Sequence, residues 1–449
     1  MAGSRNSPLT DLPQIVAAVL RHHVRDQQSL VVGLSGGIDS VVMTHVLRAV
    51  QPQIGFSLSA VHVNHQLSAS ADAWERFCSD LCAALGIELS VRRVAVEGVP
   101  AAGLEGAARA ARYRAFAAAG GDWIALAHQR DDQAETVLLN VLRGAGVRGA
   151  AGMPVVRLLD ALRPDGPRVI RPMLTVPRTC VRAYATVHGL RWIEDESNAA
   201  ISLARNFLRH EILASLRARF PAVDARLAHA ANHFAESEAL LDVLGQQDLE
   251  SASRNGHLQV TALRELGDVR ARNVVRGMLR VHGVAMPDAA RLDEILRQLV
   301  TAAPDATIEL PIGGHVVRRF RGSVYVTRRQ HHGNVASLIW RGEPELAWAD
   351  GRLRFEAAEG EGIDRSHLAG RAVTIQKRCG GERFRPDAQR PRRTLKNLLQ
   401  EAQVPPWQRE NMPLLWCGDD LVWVPRIGVA WDYRCRPGAP GVVVTWIGH

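Results

Sequence analysis

The chain has 449 residues, too many for one compact core, so we expect two to four domains. Hydrophobic residues make up 47% of it, which is typical of a folded globular protein and excludes a disordered one. The formal net charge of +9 favours a polyanionic partner, with nucleic acid as the first candidate, although a basic surface can also serve solubility alone.

Two further classes are excluded by simple patterns. No apolar run approaches the roughly 18 residues of a membrane span, and Met1–Pro13 lacks the apolar core of a signal peptide, so we predict a cytoplasmic location without a membrane partner. The six cysteines include no C-x-x-C pair, so neither a zinc site nor a redox pair is indicated. Cys78 and Cys82 lie four apart on a predicted helix, which favours buried packing.

In the first half of the chain, predicted strands alternate with predicted helices. A leading helix is predicted over Leu12–Val24, strands over 30–34, 57–65, 88–96 and 123–127, and further helices over 73–85, 104–119 and 131–143. This alternation predicts an α/β fold with a doubly wound, mostly parallel sheet, in which ligands bind beyond the carboxyl ends of the strands. Ser35, His62–His65 and His128–Asp132 all lie at those ends.

The stretch Ser35–Ser40, Ser-Gly-Gly-Ile-Asp-Ser, joins the first predicted strand to a helix. Its two glycines leave backbone N–H groups uncovered, and the helix start adds partial positive charge, so the turn suits a phosphate. A bare Ser-Gly-Gly is also an ordinary strand-to-helix turn. An acid such as Asp39 beside a phosphate cradle, however, requires a metal ion or a cationic substrate. The Gly-Lys-Ser/Thr ending of a Walker-type loop is missing.

Two later helices carry charged pairs. Arg109 and Arg112 share one helix face and suit phosphates or a substrate carboxylate, although a surface pair between Glu105 and Arg109 explains the spacing equally well. Asp132 and Glu135 share a face just after the fourth predicted strand. That pair suits Mg²⁺, which takes one or two carboxylates plus phosphate oxygens, and equally the ammonium group of a substrate.

The second half of the chain has a different pattern of predicted elements. Pro164, Gly166, Pro167 and Pro172 mark a loop, and Val223 to about Leu249 is predicted as a long helix with an apolar stripe. This helix opens a predicted helical domain with further helices over 271–281 and 289–300. Beyond it we expect β-rich structure, with alternating runs over 314–327 and 353–356, a linker with small strands over 335–370, and a small α+β domain in about the last hundred residues.

A dense group of basic residues lies in that last segment, with Phe384 and Trp407 beside it. Arginine and lysine contacts to phosphate position a nucleic acid, and aromatic rings stack on exposed bases, so the segment favours RNA binding over a merely solvated basic face. The group comprises Arg378, Arg383, Arg385, Arg390, Arg392, Arg393 and Lys396.

Ser35–Ser40 resembles, at every fixed position, the PP-loop of the ATP pyrophosphatase family, whose members cut ATP between the α- and β-phosphates and adenylate a carbonyl oxygen. Further stretches resemble the tRNA(Ile)-lysidine synthetase family in the same order: 105–113, 131–136, 143–146, 170–174, 192–198 and 205–210. A second match, at 381–386, 394–399, 404–407 and 421–425, looks like the C-terminal tRNA-binding domain of that family. The sequence departs from the pattern at Ala200 and Leu203, where an acid and an aromatic residue are usual.

The resemblance implies a three-part organisation and a reaction. Residues 1–218 would form a PP-loop catalytic domain, 219–332 a helical middle domain, and 333–449 a linker with the tRNA-binding domain. ATP would adenylate the C2 carbonyl oxygen of the wobble cytidine in a CAU anticodon of isoleucine tRNA. The ε-amine of free L-lysine would then displace AMP and leave lysidine.

The resemblance also implies residue roles. The loop residues Ser35, Gly36, Gly37, Ile38, Asp39 and Ser40 would bind the pyrophosphate of ATP, while Val61 and His62 would border the adenine. Asp39 and Asp132 would hold Mg²⁺. Asp132 and Glu135 would bind Mg²⁺ or the lysine amine, and Arg112 and Arg205 the phosphate or the activated cytidine. Binding of tRNA would fall to Arg383, Arg385, Arg393, Lys396 and Trp407.

Two other functions remain open from the residues. A PP-loop tRNA thiolase would use the same loop, although many thiolases carry C-x-x-C pairs that this chain lacks. A non-enzymatic RNA-binding protein would explain the positive charge, but not the intact loop or the paired acids at Asp132 and Glu135.

Overall fold

A computed structural model describes residues 12–66, 68, 70–94, 103–160, 163, 165–194, 204–303, 306–329, 337–349, 351–389 and 391–447. Side chains in the helix that begins at Gly103 are described from Gly106 onward. The expected end of the third strand at Val96, the side chain of Glu105, Pro164, the segment with Ala200 and Leu203, and Arg390 lie outside these ranges.

The chain divides into two compact units, Met1–Arg297 and Gln298–His449. In the first unit, the described strands of the main sheet are β1 (Ser29–Gly33), β2 (Ser57–Asn64), β3 (Glu88–Arg93), β4 (Trp123–Ala125), β5 (Val156–Leu158) and β6 (Arg168–Ile170). Their order is β3-β2-β1-β4-β6-β5, and all neighbours run parallel except β5 against β6. The predicted doubly wound, mostly parallel sheet is confirmed.

The described helices of this unit are α1 (Leu12–His23), α2 (Ile38–Ile54), α3 (Ala71–Leu85), α4 (Gly103–Ala119), α5 (Arg130–Leu142), α6 (Val147–Ala150), α7 (Arg178–Val187), α8 (Ala204–Phe207), α9 (Leu213–Arg219), α10 (Val223–Ser251), α11 (Val260–Val281) and α12 (Ala289–Thr301). A π-helical segment, Leu208–Ile212, joins α8 to α9. Two short strands, β7 (Ser253–Arg254) and β8 (His257–Gln259), form a hairpin before α11.

Strand β1 lies inside the sheet, and its side chains are buried on both faces. Leu30 and Val32 belong to a cluster with α1 and α2, while Val31 packs on the opposite face with Phe116 of α4 and Ile124 of β4. A continuous apolar run is what a parallel strand covered on both sides requires. Since β1 pairs with β2 on one side and β4 on the other, the loops after β1 and β4 border the crevice where such sheets bind ligands.

The sequence missed two strands of this sheet, β5 and β6. The proline-rich stretch around Pro167 and Pro172 was expected to be a loop, yet β6 (Arg168–Ile170) lies inside it and pairs with β4. A three-residue strand is too short to show periodicity, and its flanking prolines dominate the local pattern. The strand matters for the site because it leads directly to Arg171.

The long predicted helix is confirmed as α10 and packs against α5, α6 and α11. These contacts explain why the first compact unit continues to Arg297 and does not end near 218. The division into 1–218, 219–332 and 333–449 stays a prediction.

The described strands of the second unit are β9 (Ile308–Ile312), β10 (His315–Phe320), β11 (Ser323–Arg328), β12 (Leu338–Trp340), β13 (Glu345–Trp348), β14 (Gly351–Glu359), β15 (Ile363–Asp364), β16 (Val373–Gln376), β17 (Arg383–Phe384), β18 (Arg393–Thr394), β19 (Leu414–Cys417), β20 (Asp420–Val424), β21 (Gly428–Val429) and β22 (Pro440–Ile447). Its short helices are α13 (Arg365–Leu368), α14 (Leu395–Glu401) and α15 (Pro406–Glu410). Antiparallel sheets with short helices give the α+β character that was expected.

The β run predicted over 353–356 is present within β14, but the surrounding segment 335–370 is not the linker that was expected. Strand β14 pairs with β22 from Arg352 opposite Ile447 to Glu359 opposite Pro440, and its Leu353 and Phe355 are part of the core of this unit. The pattern was misinterpreted because the partner strand lies at the other end of the unit's sequence. Among the described residues, no helix is both long and apolar enough to span a bilayer.

Glu382 provides a test of the packing of the second unit. Its buried carboxylate accepts hydrogen bonds from the backbone N–H groups of Cys379 and Gly380, both at 2.6 Å, and from Arg378 Nε at 3.2 Å. Although burial opposes ionisation, these bonds hold the pKa of Glu382 below its usual value. Glu382→Gln should lower the free energy of unfolding by about 1–3 kcal/mol in urea titrations at neutral pH.

A lowered folded-state pKa stabilises the protein above the unfolded-state pKa, and that contribution disappears as the pH falls. The difference between wild type and Glu382→Gln should therefore shrink below about pH 4, where the wild-type carboxyl group protonates. Exposed Glu345→Gln is the matched control and should change stability much less. A difference that grows on acidification would contradict the assignment.

Candidate active site

The loop Ser35–Ser40 forms an open backbone turn at the carboxyl end of β1. Ser40 Oγ donates to the Gly37 carbonyl at 2.9 Å and lies 3.1 Å from Ser35 Oγ, and the Ser35 N–H donates to Ser40 Oγ at 3.2 Å. These bonds fix the two ends of the turn to each other. The residue before α2, Gly37, makes no side-chain cap to the described start of the helix, so the first helical N–H groups are left for an anion.

Gly36 is required by the geometry of this turn. Its φ is +87°, in the left-handed region, and a Cβ added there would lie 2.5 Å from Ile193 Cδ1. The Ile193 N–H donates to the Gly36 carbonyl at 2.9 Å, so the loop is fixed to the segment after α7. The loop is therefore shaped by tertiary contacts as well as by its own glycines.

Val61 and His62 lie in β2 beside the loop, and both side chains are buried. The Leu34 N–H donates to the Val61 carbonyl at 2.9 Å, and His62 Nδ1 lies 2.9 Å from the Leu34 carbonyl, to which a protonated Nδ1 would donate. These contacts hold the chain that enters the phosphate loop. A role for Val61 and His62 at the adenine stays a prediction.

The most tightly bonded part of the site is an acid–arginine network of Asp132, Glu135, Arg205 and Arg209. Arg209 binds Glu135 with both arms of its guanidinium, at 2.6 Å from Nε to Oε1 and 2.9 Å from Nη2 to Oε2. Arg205 Nε also donates to Glu135 Oε2 at 2.9 Å. Glu135 is 1% exposed, and hydrogen bonds engage both its oxygens. Its carboxylate positions the two arginines and is not free for a ligand.

Asp132 is the more open carboxylate of this network. Its Oδ2 accepts the Gln129 N–H at 3.0 Å, which caps α5, whereas Oδ1 has two longer contacts of 3.3 Å to Arg205 and Arg209. Gln129 in turn donates from Nε2 to Asp39 Oδ1 at 3.2 Å. The phosphate-loop acid and the α5 acid are thus connected through one glutamine side chain.

The electrostatics of Asp39 and Asp132 favour a cation between them. Burial raises the pKa of Asp39 to about 6, and the negative charge of Asp132 adds to the increase. Burial also raises the pKa of Asp132, against the opposing charge of Arg205. Two carboxylates that disfavour each other's ionisation beside a phosphate loop fit Mg²⁺, which combines one or two carboxylates with phosphate oxygens. Within the described residues, no group of three or more metal-binding side chains forms a separate cage.

A cluster of guanidinium groups surrounds His128, just before α5. Arg171 Nε donates to His128 Nδ1 at 3.3 Å and Arg171 Nη1 to the Pro154 carbonyl at 2.8 Å. Burial lowers the pKa of His128 to about 3, and nearby positive charges contribute, so the imidazole is neutral. Those charges come from Arg171, Arg205, Arg109 and Arg112. The structure thus brings the arginines of α4 close to the acid–arginine network.

Sequence reasoning missed three contributors to this site. Arg209 follows Arg205 at i+4, a spacing that predicts a shared helix face, but only Arg205 was singled out. Gln129 lies just before a stretch that resembles the family and Arg171 lies inside one, yet neither residue type suggests a site without the fold. The alternative pairing of Arg109 with Glu105 falls on a side chain outside the described residues, and Arg109 lies 5.3 Å from the Tyr113 ring centre.

The second unit brings some of the predicted tRNA-binding residues together. Arg383, Arg385 and Arg392 line a cavity of about 270 Å³, here called the arginine cavity. Asp432 forms ion pairs with Arg385 at 3.6 Å and Arg392 at 3.9 Å. Arg393 is paired with Glu401, which reduces its charge available to a phosphate. Lys396 is exposed on α14.

Phe384 and Trp407, the aromatic residues that the sequence places beside the arginines, are both enclosed in the structure. Phe384 is 1% exposed, and Trp407 is 8% exposed, with its ring packed edge-on against Phe320 and Tyr325 at centroid distances of 6.0 and 5.3 Å. A ring enclosed in this way has no free face for a base. The sequence shows an aromatic residue near arginines but not the packing that covers it.

Comparison with known proteins gives three family matches. A family described as PP-loop domain matches residues 10–216, one described as TilS substrate binding domain matches 258–325, and one described as TilS substrate C-terminal domain matches 373–446. The three matches follow one another along the chain and include the phosphate loop, α5 and the arginine cavity.

Curated relatives extend over nearly the whole chain. The tRNA(Ile)-lysidine synthase of Nitrosomonas europaea is 41% identical over 449 residues, covering 99% of this chain and 98% of that protein. That of Aromatoleum aromaticum is also 41% identical, covering 94% and 98%. Among solved structures, the U34-tRNA thiolase NcsA from Methanococcus maripaludis has a TM-score of 0.43 at 21% identity, covering 52% of this chain and 81% of that chain. This score is too low to add to the assignment.

The acid–arginine network makes a stability prediction. Arg209→Ala leaves buried Glu135 with one of its two guanidinium partners and should lower the free energy of unfolding by about 3–5 kcal/mol. Arg209→Lys keeps the charge but loses the two-armed geometry, so it should recover only part of this stability. Urea titrations followed by circular dichroism measure both effects.

The matched control is Arg297→Ala, which removes one partner of an exposed ion pair with Glu294. Its effect on stability should be much smaller, because solvent replaces the lost partner. Equal losses for Arg209→Ala and Arg297→Ala would show that the network does not stabilise the fold.

Proposed function

Because the chain belongs to the tRNA(Ile)-lysidine synthase family, we propose that it joins free L-lysine to C2 of the wobble cytidine in an isoleucine tRNA with a CAU anticodon. ATP supplies the energy, and the products are lysidine, AMP and diphosphate. The observation that carries the proposal is the placement of Asp39, at the phosphate loop, beside the acid–arginine network in one crevice. We place this reaction in the cytoplasm.

The reaction has two steps. The C2 carbonyl oxygen of cytidine first attacks the α-phosphorus of ATP, and the bond to the β-phosphate oxygen breaks, which releases diphosphate. The ε-amine of lysine then attacks C2 of the adenylated base, AMP leaves with the former carbonyl oxygen, and the nitrogen loses its excess protons. Adenylation is needed because a pyrimidine carbonyl is a poor electrophile with a poor leaving group.

The proposed roles of the site residues follow from their charges. The open N–H groups of the Ser35–Ser40 turn bind the pyrophosphate, since they point from a helix start that carries partial positive charge. Arg112 and Arg205 neutralise negative charge on the α-phosphate and the activated cytidine, as donors that are already positioned before the reaction. Glu135 and Arg209 hold Arg205 in place.

Asp39 and Asp132 would hold Mg²⁺, which when bound neutralises charge on the phosphate oxygens of ATP. Asp132 is also the carboxylate that can receive the lysine ammonium group, because its Oδ1 has only the two longer arginine contacts. Glu135 is not proposed for either ligand, because both its oxygens are already engaged.

The two alternatives explain less. A thiolase would need a sulfur donor, and the chain contains no C-x-x-C pair to carry one. A non-enzymatic RNA-binding protein would need neither the phosphate loop nor the buried pair of Asp39 and Asp132.

Asp39→Asn provides the main test. This variant keeps the size of the side chain and its contact to Gln129 but removes the charge beside the phosphates, so diphosphate release should fall by at least about a hundredfold. Binding of the tRNA should remain within about twofold, because its phosphate contacts lie elsewhere. The assay contains ATP, labelled lysine and an isoleucine tRNA transcript with a CAU anticodon.

Asp80→Asn, on the exposed face of α3, is the matched control and should retain full activity. Wild-type enzyme that releases diphosphate without incorporating lysine would point to another nucleophile. Equal loss of tRNA binding and diphosphate release in Asp39→Asn, with the fold intact, would contradict separate sites for ATP and tRNA.

Two sets of variants around the arginine cavity should change the affinity for tRNA in opposite directions. Replacing Arg383, Arg385 and Lys396 together by alanine should weaken tRNA binding and reduce the slope of log Kd against log salt by about 2–3. Asp432→Asn should instead strengthen binding by about threefold, because it releases Arg385 and Arg392 from a competing carboxylate. Filter binding at several salt concentrations measures both. An unchanged salt slope in the triple variant would exclude these residues from the interface.

A further inference from the structure

Three guanidinium groups gather around the side chain of Tyr113 on α4. Arg109, one helical turn earlier, has its Nη2 3.5 Å from the Tyr113 hydroxyl oxygen and its Cζ 5.3 Å from the ring centre. Arg157 of β5 has its Cζ 4.9 Å from the same ring centre. The positive charge of Arg171, which follows β6, also acts on the hydroxyl. These four residues are called the Tyr113 cluster below.

In the part of the chain that the structure describes, no carboxylate pairs with an arginine of this cluster. By contrast, the nearby Asp132 and Glu135 each hold two arginines. Arg171 is 2% exposed, and there it donates to uncharged groups, His128 Nδ1 and the Pro154 carbonyl. A buried charge is costly unless it is paired, so a guanidinium without an acidic partner indicates that an anion completes the site.

The ionisation of three groups in and beside the cluster reflects its positive charge. Burial would raise the pKa of Tyr113, but the charges of Arg109 and Arg157 hold that pKa below its usual value. Burial lowers the pKa of His128 to about 3, and the charge of Arg171 adds to the decrease. Burial also lowers the pKa of Arg171 to about 10, and repulsion from Arg157 contributes. A bound anion would relieve this repulsion.

A ligand can reach part of the cluster from solvent. Arg109 is exposed, and Arg157 and Tyr113 are half-buried, whereas Arg171 is enclosed and contributes charge without contact. Both accessible guanidinium groups lie against one aromatic ring, which holds them in place before a ligand binds. Such pre-organisation reduces the side-chain entropy that binding would otherwise cost.

The cluster is separate from the phosphate loop but borders the acid–arginine network. In the strand order β1-β4-β6-β5, Arg171 follows the strand two places from β1, and Arg157 lies in the strand three places away. Neighbouring strands are about 4.8 Å apart, so the cluster lies roughly 10–14 Å from the strand that leads into the loop. His128, which bonds to Arg171, directly precedes Gln129, whose N–H caps onto Asp132. The sheet therefore carries a second anion site beside the place where the nucleotide reacts.

The chemistry of the cluster favours a phosphodiester over the α-carboxylate of lysine. An α-amino acid carries an ammonium group on the carbon next to its carboxylate, and guanidinium groups without an acidic partner repel it. A phosphodiester has a full negative charge and no cationic neighbour. Its two free oxygens also match the paired donors of a guanidinium group.

We propose that Arg109 and Arg157, supported by Tyr113 and the charge of Arg171, bind a backbone phosphate that flanks the wobble cytidine of the tRNA. This inference rests on the proposed function, since that function makes tRNA the substrate. The contact fixes the position of the cytidine relative to ATP and touches no reacting atom. It also gives the first unit its own grip on the tRNA, besides the arginines of the second unit.

Arg157→Gln is the main test, because it removes the charge but keeps a polar side chain on β5. Affinity for the tRNA transcript should fall by about tenfold, and the slope of log Kd against log salt should decrease by about 0.7, as for one phosphate contact to a single strand. The KM for tRNA should rise in parallel, while the KM values for ATP and lysine stay within about twofold. Arg157→Lys keeps the charge but not the planar contact to Tyr113, so it should recover only part of the affinity.

The melting temperature separates this binding role from a structural one. Because Arg157 repels the buried charge of Arg171, Arg157→Gln should leave the melting temperature unchanged or raise it. Lower affinity for tRNA together with a lower melting temperature would identify Arg157 as a structural residue and overturn the proposal.

Arg168→Gln is the matched control. Arg168 also lies over an aromatic ring, with its Cζ 5.9 Å from the Trp123 ring centre, and it is exposed. It is the first residue of β6, however, and so lies at the end of that strand opposite to Arg171. Loss of its charge should weaken tRNA binding by less than about threefold at moderate salt. Equal losses in Arg168→Gln and Arg157→Gln would reflect overall charge and overturn the proposal.

A neutral phosphate tests the same contact from the RNA side with the wild-type fold. Full-length tRNA is assembled by ligation with one methylphosphonate on the 5′ side or on the 3′ side of the wobble nucleotide. One of these two should weaken binding to the wild-type protein by about tenfold but binding to Arg157→Gln by less than about twofold, because both changes remove the same contact. Equal weakening in both proteins at both positions would contradict the contact.

Two further outcomes separate this proposal from its alternatives. A higher KM for lysine in Arg157→Gln, with tRNA affinity at the wild-type value, would place the lysine carboxylate in the cluster and overturn the proposal. Wild-type protein whose tRNA binding depends on Arg157 but that forms no lysidine would remove the proposed function and leave the phosphate site. Lysidine formation by the wild type, with unchanged tRNA affinity in Arg157→Gln, would remove the phosphate site and leave the function.

Discussion

The burial of Glu135 is the constraint on which the active site depends. A carboxylate that is 1% exposed is tolerated only when strong donors surround it, and here two guanidinium groups engage both oxygens. Satisfying Glu135 therefore fixes Arg205 and Arg209, which approach α5 from the region after α7. The same requirement orients Asp132 one helical turn earlier. A buried acid thus organises a site although it touches no ligand.

The position of β1 in the sheet explains why this network meets the phosphate loop. With β2 and β4 as its two neighbours, the loop after β1 and the helix after β4 begin at the same edge, on either side of one crevice. Asp39 and Asp132 each lie early in those two helices, and Gln129 bridges them. Burial raises the pKa of Asp39, and repulsion from Asp132 adds to the increase, so positive charge is favoured at the point where the phosphates of ATP are expected.

What the sequence could predict follows from how local each feature is. The strand, turn and helix around Ser35–Ser40 are encoded within about a dozen residues, and the doubly wound sheet follows from repetition of that pattern. The acid–arginine network was only half predicted, because Glu135 and Arg209 lie far apart in sequence and side-chain contacts of this range leave no periodic signal. The burial of Trp407 and the full length of β14 are hidden from the sequence for the same reason. The ring is covered by Phe320 and Tyr325, and β14 forms a strand because it pairs with β22, which lies at the other end of the unit's sequence.

In the second unit, formal charge overstates the positive charge that is available to a phosphate. Much of its arginine charge is already engaged, since Arg393 is paired with Glu401, Arg378 with Glu382, and Arg385 and Arg392 with Asp432. Electrostatic affinity then depends on the few cations that a phosphate can reach without displacing a carboxylate, of which Arg426 and Lys396 are exposed. Arginines that are already held by carboxylates exchange one partner for another when they contact a phosphate, so they add less to affinity than their formal charge suggests.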